Sequence, residues 1–162
     1  MSYYFTDKEI EDFILEEKPF PDTIDKFLNF KESDGHKRAS VTIDRPDGSQ
    51  YNINLRQNVN NVNDFSVIIA YQCKGNNKDF KLRRYNGKSH EHSNKIEKSR
   101  FYNFHIHIST ERYQKIGAKE ESFAEETSRY TNLNEALECM IKDCNIKVKI
   151  NPQMSIFDQE DK

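Results

Sequence analysis

The run VTIDRPDGSQYNINL, residues 41–55, decides the fold class. Val41 and Ile43 on the outward leg, and Tyr51, Ile53 and Leu55 on the return, put an apolar side chain at every second position, the period of a strand with one buried face. Asp47-Gly48 between the legs is the turn dipeptide of a hairpin. The expectation is an antiparallel hairpin.

Working outward, the run from Phe65 to Cys73 carries Val67, Ile68, Ile69 and Ala70 in succession, apolar on both faces, as a central strand requires. Gly75-Asn76-Asn77 turns the chain into a further strand, Phe80 to Tyr85, with Phe80 and Leu82 facing one way and Lys81, Arg83 and Tyr85 the other. From Phe101 to Ser109 the alternation resumes: Phe104, Ile106 and Ile108 share one face, and His105, His107 and Ser109 the opposite one. Between these strands, Asn86 to Arg100 reads as a polar, basic, mobile loop.

The flanks read as helices. Thr6 with Glu9 forms a capping box ahead of Ile10, Phe13 and Ile14, and Pro19 and Pro21 end that helix. Ile24, Phe27 and Leu28 mark a short second helix over residues 22–30. Thr131 caps a last helix whose stripe is Leu133, Ala136, Leu137, Met140 and Ile141. Residues 113–129 read as loop, and Ile146 to Ile150 as a short edge strand.

The fold class is α+β: an antiparallel sheet of about five strands, packed by N-terminal helices and a C-terminal helix. A chain of 162 residues supports one core, so residues 1–150 form a single domain. Residues 1–31 are its helical N-terminal part, 36–110 the sheet, 131–144 the final helix and 151–162 an acidic tail. With 11 Phe and 8 Tyr against 35% hydrophobic residues, aromatics build much of that core.

A net charge of −2 excludes a globally basic nucleic-acid binder, so any such contact needs a local patch. The signs do segregate, with cations concentrated from Lys74 to Arg100. Cys73, Cys139 and Cys144 show no Cys-x-x-Cys spacing, which argues against a thiolate metal site and for free thiols in a reducing compartment. No long apolar run or leader-like start is present, so the expected location is the cytoplasm, with no membrane partner.

RRYNGKSHEHSN (83–94) and FYNFHIHIST (101–110) gather four of the five histidines. Histidine exchanges protons near neutrality, and arginine stabilises phosphoryl charge. The candidate catalytic residues are His105, His107, Arg83, Arg84 and Tyr85, with Asn86, Lys88, His90 and His92 as substrate-binding residues on the loop. That set suits RNA cleavage: one imidazole takes the 2′-hydroxyl proton, another protonates the leaving oxygen, and a cation holds the phosphate. No metal and no cofactor is required by it. A metal site is the competing chemistry, because His-x-His on a strand points two imidazoles the same way.

The order apolar strand, basic strand ending Arg84-Tyr85-Asn86, loop with His90 and His92, and strand with His105 and His107 resembles the TumE-type ribonuclease toxins of bacterial toxin–antitoxin pairs. The resemblance covers roughly residues 65–144 and implies a toxin-like RNA-cleaving or RNA-binding domain with an antitoxin as partner. Those toxins lack the helical N-terminus of this chain, and have a Pro-containing lead where it has Phe101-Tyr102-Asn103-Phe104.

The alternative reading is a non-enzymatic phage or mobile-element protein, such as a host-defence inhibitor, that binds a host protein. Gln153-Met154-Ser155-Ile156-Phe157 resembles the sliding-clamp-binding peptide of bacterial replication proteins, which would make those residues partner-binding. The competing reading packs Met154, Ile156 and Phe157 against the domain itself.

Overall fold

The computed structural model describes residues 3–149, and residues 153–157 of the clamp-like peptide lie outside them. Its centre is a seven-stranded antiparallel sheet. Five strands fall where the alternation places them: β3 (His36–Asp44), β4 (Gln50–Asn58), β5 (Phe65–Gln72), β6 (Phe80–Asn86) and β9 (His105–Ile108). The count of about five is corrected by two short edge strands, β2 (Lys31–Ser33) beside β3 and β10 (Phe123–Glu126) beside β9. The sheet is a meander, β2-β3-β4-β5-β6-β9-β10, interrupted once between β6 and β9.

One face of the sheet carries Tyr51, Ile53, Leu55, Val67, Ile69 and Tyr71, all buried. Helix α1 (Asp7–Leu15) covers part of it, Phe13 stacking on Tyr71 with ring centres 4.3 Å apart. Its capping box is formed as expected, Thr6 Oγ1 accepting from Glu9 N and Glu9 Oε1 from Thr6 N. Helix α4 (Leu133–Asp143) packs on β5 and β6 with Leu133, Ala136, Leu137 and Met140 buried. The cap of α4 is Asn132, whose side chain accepts from Glu135 N, while Thr131 instead donates to the Glu135 carboxylate.

The second helix, expected over residues 22–30, is the single turn α2 (Ile24–Phe27), and a strand, β1 (Lys18–Thr23), leads into it. β1 runs parallel to β11 (Ile146–Lys149), its only strand partner among the described residues, with Pro19 and Pro21 outward and Lys18 and Phe20 buried. Proline is tolerated on such an edge because no second neighbour needs its missing N–H. Residues 113–129 are likewise more ordered than expected, with α3 (Glu111–Lys115) leading into β10.

Two departures reshape the candidate site. Ile69 pairs with Arg83 and Ala70 with Lys81, which leaves Leu82 as an extra residue on β6. Such a bulge shifts the alternation by one position. Beyond it Arg83 and Tyr85 lie on the core face, and Arg84 and Asn86 on the other, paired with His107 and His105. The segment expected as a mobile loop folds as a hairpin, β7 (His92–Asn94) with β8 (Ser99–Phe101), and is the interruption in the meander.

All three cysteines are free thiols. Among the described residues no helix is long and apolar enough to cross a membrane.

Candidate functional site

His105 and His107 share one face of β9, as the alternation requires, and that face is not open to solvent. They are 1% and 9% exposed. The β7–β8 hairpin folds over them, placing the His92 ring 5.4 Å from that of His105 and 4.8 Å from that of His107, centre to centre. Phe101 from the same hairpin closes the side of the cluster, 5.5 Å from the His105 ring. One ring nitrogen from each of the three histidines lies within 4.8 Å of those of the other two.

Hydrogen bonds fix each imidazole. Asn94 Oδ1 accepts from Ala124 N, so its contact with His92 Nε2 at 2.8 Å makes that nitrogen the donor. His105 Nδ1 donates to the Asn103 carbonyl at 2.7 Å, and His107 Nδ1 to the Glu121 carbonyl at 2.8 Å. Neutral imidazole has one donor and one acceptor nitrogen. In neutral His105 and His107 the lone pair therefore sits on Nε2, and in His92 the nitrogen not bonded to Asn94 is Nδ1. Burial pushes the His107 pKa down to about 3, and neighbouring His105 and Arg84 push in the same direction. The pKa of His105 is lowered too, again chiefly by burial. Both are neutral bases at physiological pH. A protonated histidine acting as general acid, part of the expected acid–base pair, is not what these surroundings favour.

Beside the cluster is a cleft of about 290 Å³, lined among others by Arg84, His92, Lys95, His107, Lys119 and Glu121. Arg84 Nη2 pairs with the buried Glu121 carboxylate, which fixes the guanidinium at the cleft wall. Arg84 Nε and Asn86 Oδ1 are buried without a hydrogen-bond partner among the described residues. Asn86 reaches His105 Nε2 only through Nδ2, at 3.5 Å.

The expected set is thus divided. His92, His105, His107, Arg84 and Asn86 come together. Tyr85, fully buried, donates from its hydroxyl to Asp143 Oδ2 at 2.7 Å, and Arg83 Nη1 lies 3.6 Å from the same oxygen, on the far side of the sheet. Lys88 rests over the Phe104 ring, and His90 is exposed, its Nδ1 beside Ser89 Oγ. Asn94, Lys95, Lys119 and Glu121 enter the site unannounced. Lys119 and Glu121 belong to a charge-rich stretch that reads as a solvated segment, yet Glu121 is 3% exposed. A buried carboxylate 37 residues from its arginine partner leaves no local signal.

Comparison with known proteins finds no matching family model, no matching curated protein and no matching solved structure.

Proposed function

We propose that the cleft binds and cleaves single-stranded RNA. The observation that carries the reading is the assembly in one cleft of the His92 and His107 imidazoles with the cations Lys95 and Lys119, beside the Arg84–Glu121 ion pair. Cations at the wall suit a phosphodiester, and an adjoining imidazole suits a proton acceptor. RNA brings its own nucleophile. The 2′-oxygen attacks the adjacent phosphorus, the bond to the 5′-oxygen breaks, and a 2′,3′-cyclic phosphate and a 5′-hydroxyl result. The 2′-hydroxyl proton passes to a cleft-lining imidazole, His92 or His107, the leaving oxygen takes a proton from water, and Lys95 and Lys119 hold the phosphate. The resemblance of the Arg84-Tyr85-Asn86 and paired-histidine order to toxin ribonucleases points the same way.

Incubation with a labelled single-stranded RNA tests this. His107→Gln should abolish cleavage, and Lys95→Ala with Lys119→Ala should weaken RNA binding and make its loss with salt shallower. His90→Ala, outside the cleft lining, should cleave as the parent does. Cleavage untouched by His107→Gln, or absent from the parent protein, would remove the reading.

A further inference from the structure

We infer that His92, His105 and His107 form a binding site for one divalent transition-metal ion of the zinc type. The site adjoins the cleft proposed for RNA, and its use in cleavage rests on that reading, but the binding itself does not.

The first ground is convergence: one nitrogen from each imidazole lies within 4.8 Å of the others, on side chains drawn from β9 and from the hairpin. The second is tautomer control. Each ring donates one N–H to a fixed acceptor: Asn94 Oδ1 for His92, the Asn103 carbonyl for His105 and the Glu121 carbonyl for His107. This is the outer arrangement that metal-ligating histidines nearly always have, since it orients the ring and raises the basicity of the free nitrogen. Asn94 is itself locked, donating to the Ala124 carbonyl and to Ser99 Oγ and accepting from Ala124 N.

The third ground is electrostatic. The ring nitrogens of His105 and His107 that carry lone pairs are buried with their rings, where bulk water does not solvate them. Asn86 Nδ2 lies 3.5 Å from His105 Nε2, a weak contact. A cation is the natural complement. The positive charge of Arg84 would oppose one, and its ion pair with Glu121 neutralises it.

An all-imidazole donor set suits zinc, cobalt, nickel or copper, and offers nothing to the hard cations that seek oxygen. Tetrahedral zinc with Zn–N near 2.0–2.1 Å brings ligand nitrogens to roughly 3.4 Å of one another. Closure from the present separation falls to the hairpin, a short two-stranded element standing apart from the large sheet. Because His92 and His107 line the cleft, the fourth position opens toward Lys95 and Lys119. Three histidines with one open position is the catalytic pattern for zinc, and water bound there ionises near neutrality.

The test is calorimetric titration of Zn(II) into the chelator-stripped full chain. The expected result is one ion per chain, lost in His107→Gln and His105→Gln and weakened at least about tenfold in Asn94→Ala. His36→Gln and His90→Gln should bind as the parent does. Circular dichroism and melting of each metal-free variant report folding. If His105→Gln does not fold, His92→Gln decides, because His92 is only half-buried on the hairpin and glutamine can still donate to Asn94. No saturable binding, or full binding by both His107→Gln and His92→Gln, overturns the inference. Zinc uptake without RNA cleavage leaves it standing and removes the RNA reading. RNA cleavage undiminished in stripped protein that takes up no zinc does the reverse.

Discussion

Truncating Asn94 to alanine tests whether the hairpin is held over the histidines by one side chain. Asn94 is 3% exposed and makes four hydrogen bonds: Nδ2 to the Ala124 carbonyl at 2.7 Å and to Ser99 Oγ at 3.1 Å, and Oδ1 from Ala124 N at 2.9 Å and His92 Nε2 at 2.8 Å. Two of them satisfy the outward N–H and carbonyl of Ala124, which is 1% exposed, so the amide completes β10 as a strand partner would. At about 1 kcal/mol net per bond, with a further cost for each buried backbone group left unpaired, Asn94→Ala should cost roughly 3–5 kcal/mol if the hairpin stays closed. Undocking, which hydrates those groups, is the cheaper response. The expected outcome is global stability lower by about 2 kcal/mol, with loss of amide protection across residues 88–101 and at Ala124. Hydrogen exchange read by mass spectrometry, alongside urea denaturation, measures both. Protection unchanged over that segment, with stability within about 0.5 kcal/mol of the parent, would refute the reasoning.

Further outcomes follow from particular contacts. Lys18, fully buried, donates to the carbonyls of Ile14, Glu16 and Cys144, joining the ends of α1 and α4. Lys18→Met strands all three and should lower stability by about 2–4 kcal/mol in urea titration. A Cβ at Gly87 would sit 1.9 Å from the Asn63 carbonyl oxygen, so Gly87→Ala should displace the end of β6 and cost about 1–3 kcal/mol, with NMR shifts changing at Asn86 and His105. The Arg45 guanidinium pairs with both Glu16 oxygens and holds that carboxyl below its ordinary 4.5. A lowered folded pKa gives stability that is complete above 4.5 and lost as pH falls through the folded value. Melting of the parent and Glu16→Gln should therefore differ by about 1 kcal/mol at neutral pH and converge in acid. A gap that widens in acid would contradict the assignment.

What the sequence discloses is what local pattern can carry. Residues 41–55 form the expected hairpin because each face is buried or open along its whole length, so period two and Asp47-Gly48 suffice. His105 and His107 share a face for the same reason. Arg83 and Tyr85 were beyond reach of that logic: the extra residue Leu82 exists only through the pairing of β6 with β5, and extrapolating the alternation across it puts both on the wrong face. β1 was hidden by its prolines, which read as breakers unless the strand is known to be an edge. His92 and Glu121 reach the site through tertiary contacts, the first by the bond of Asn94 to Ala124, 30 residues on. A polar segment with two histidines reads as loop until its anchor is seen.

In the proposed site three imidazoles, on strand β9 and on the hairpin, share one ion. X-ray absorption at the zinc edge of the full chain loaded with one equivalent of Zn(II) reads the ligand shell directly. The expected shell has nitrogen and oxygen donors only, three of them imidazoles with Zn–N near 2.0–2.1 Å, and one imidazole fewer in His92→Gln. A shell containing sulfur, or an imidazole count unchanged in His92→Gln, would contradict it.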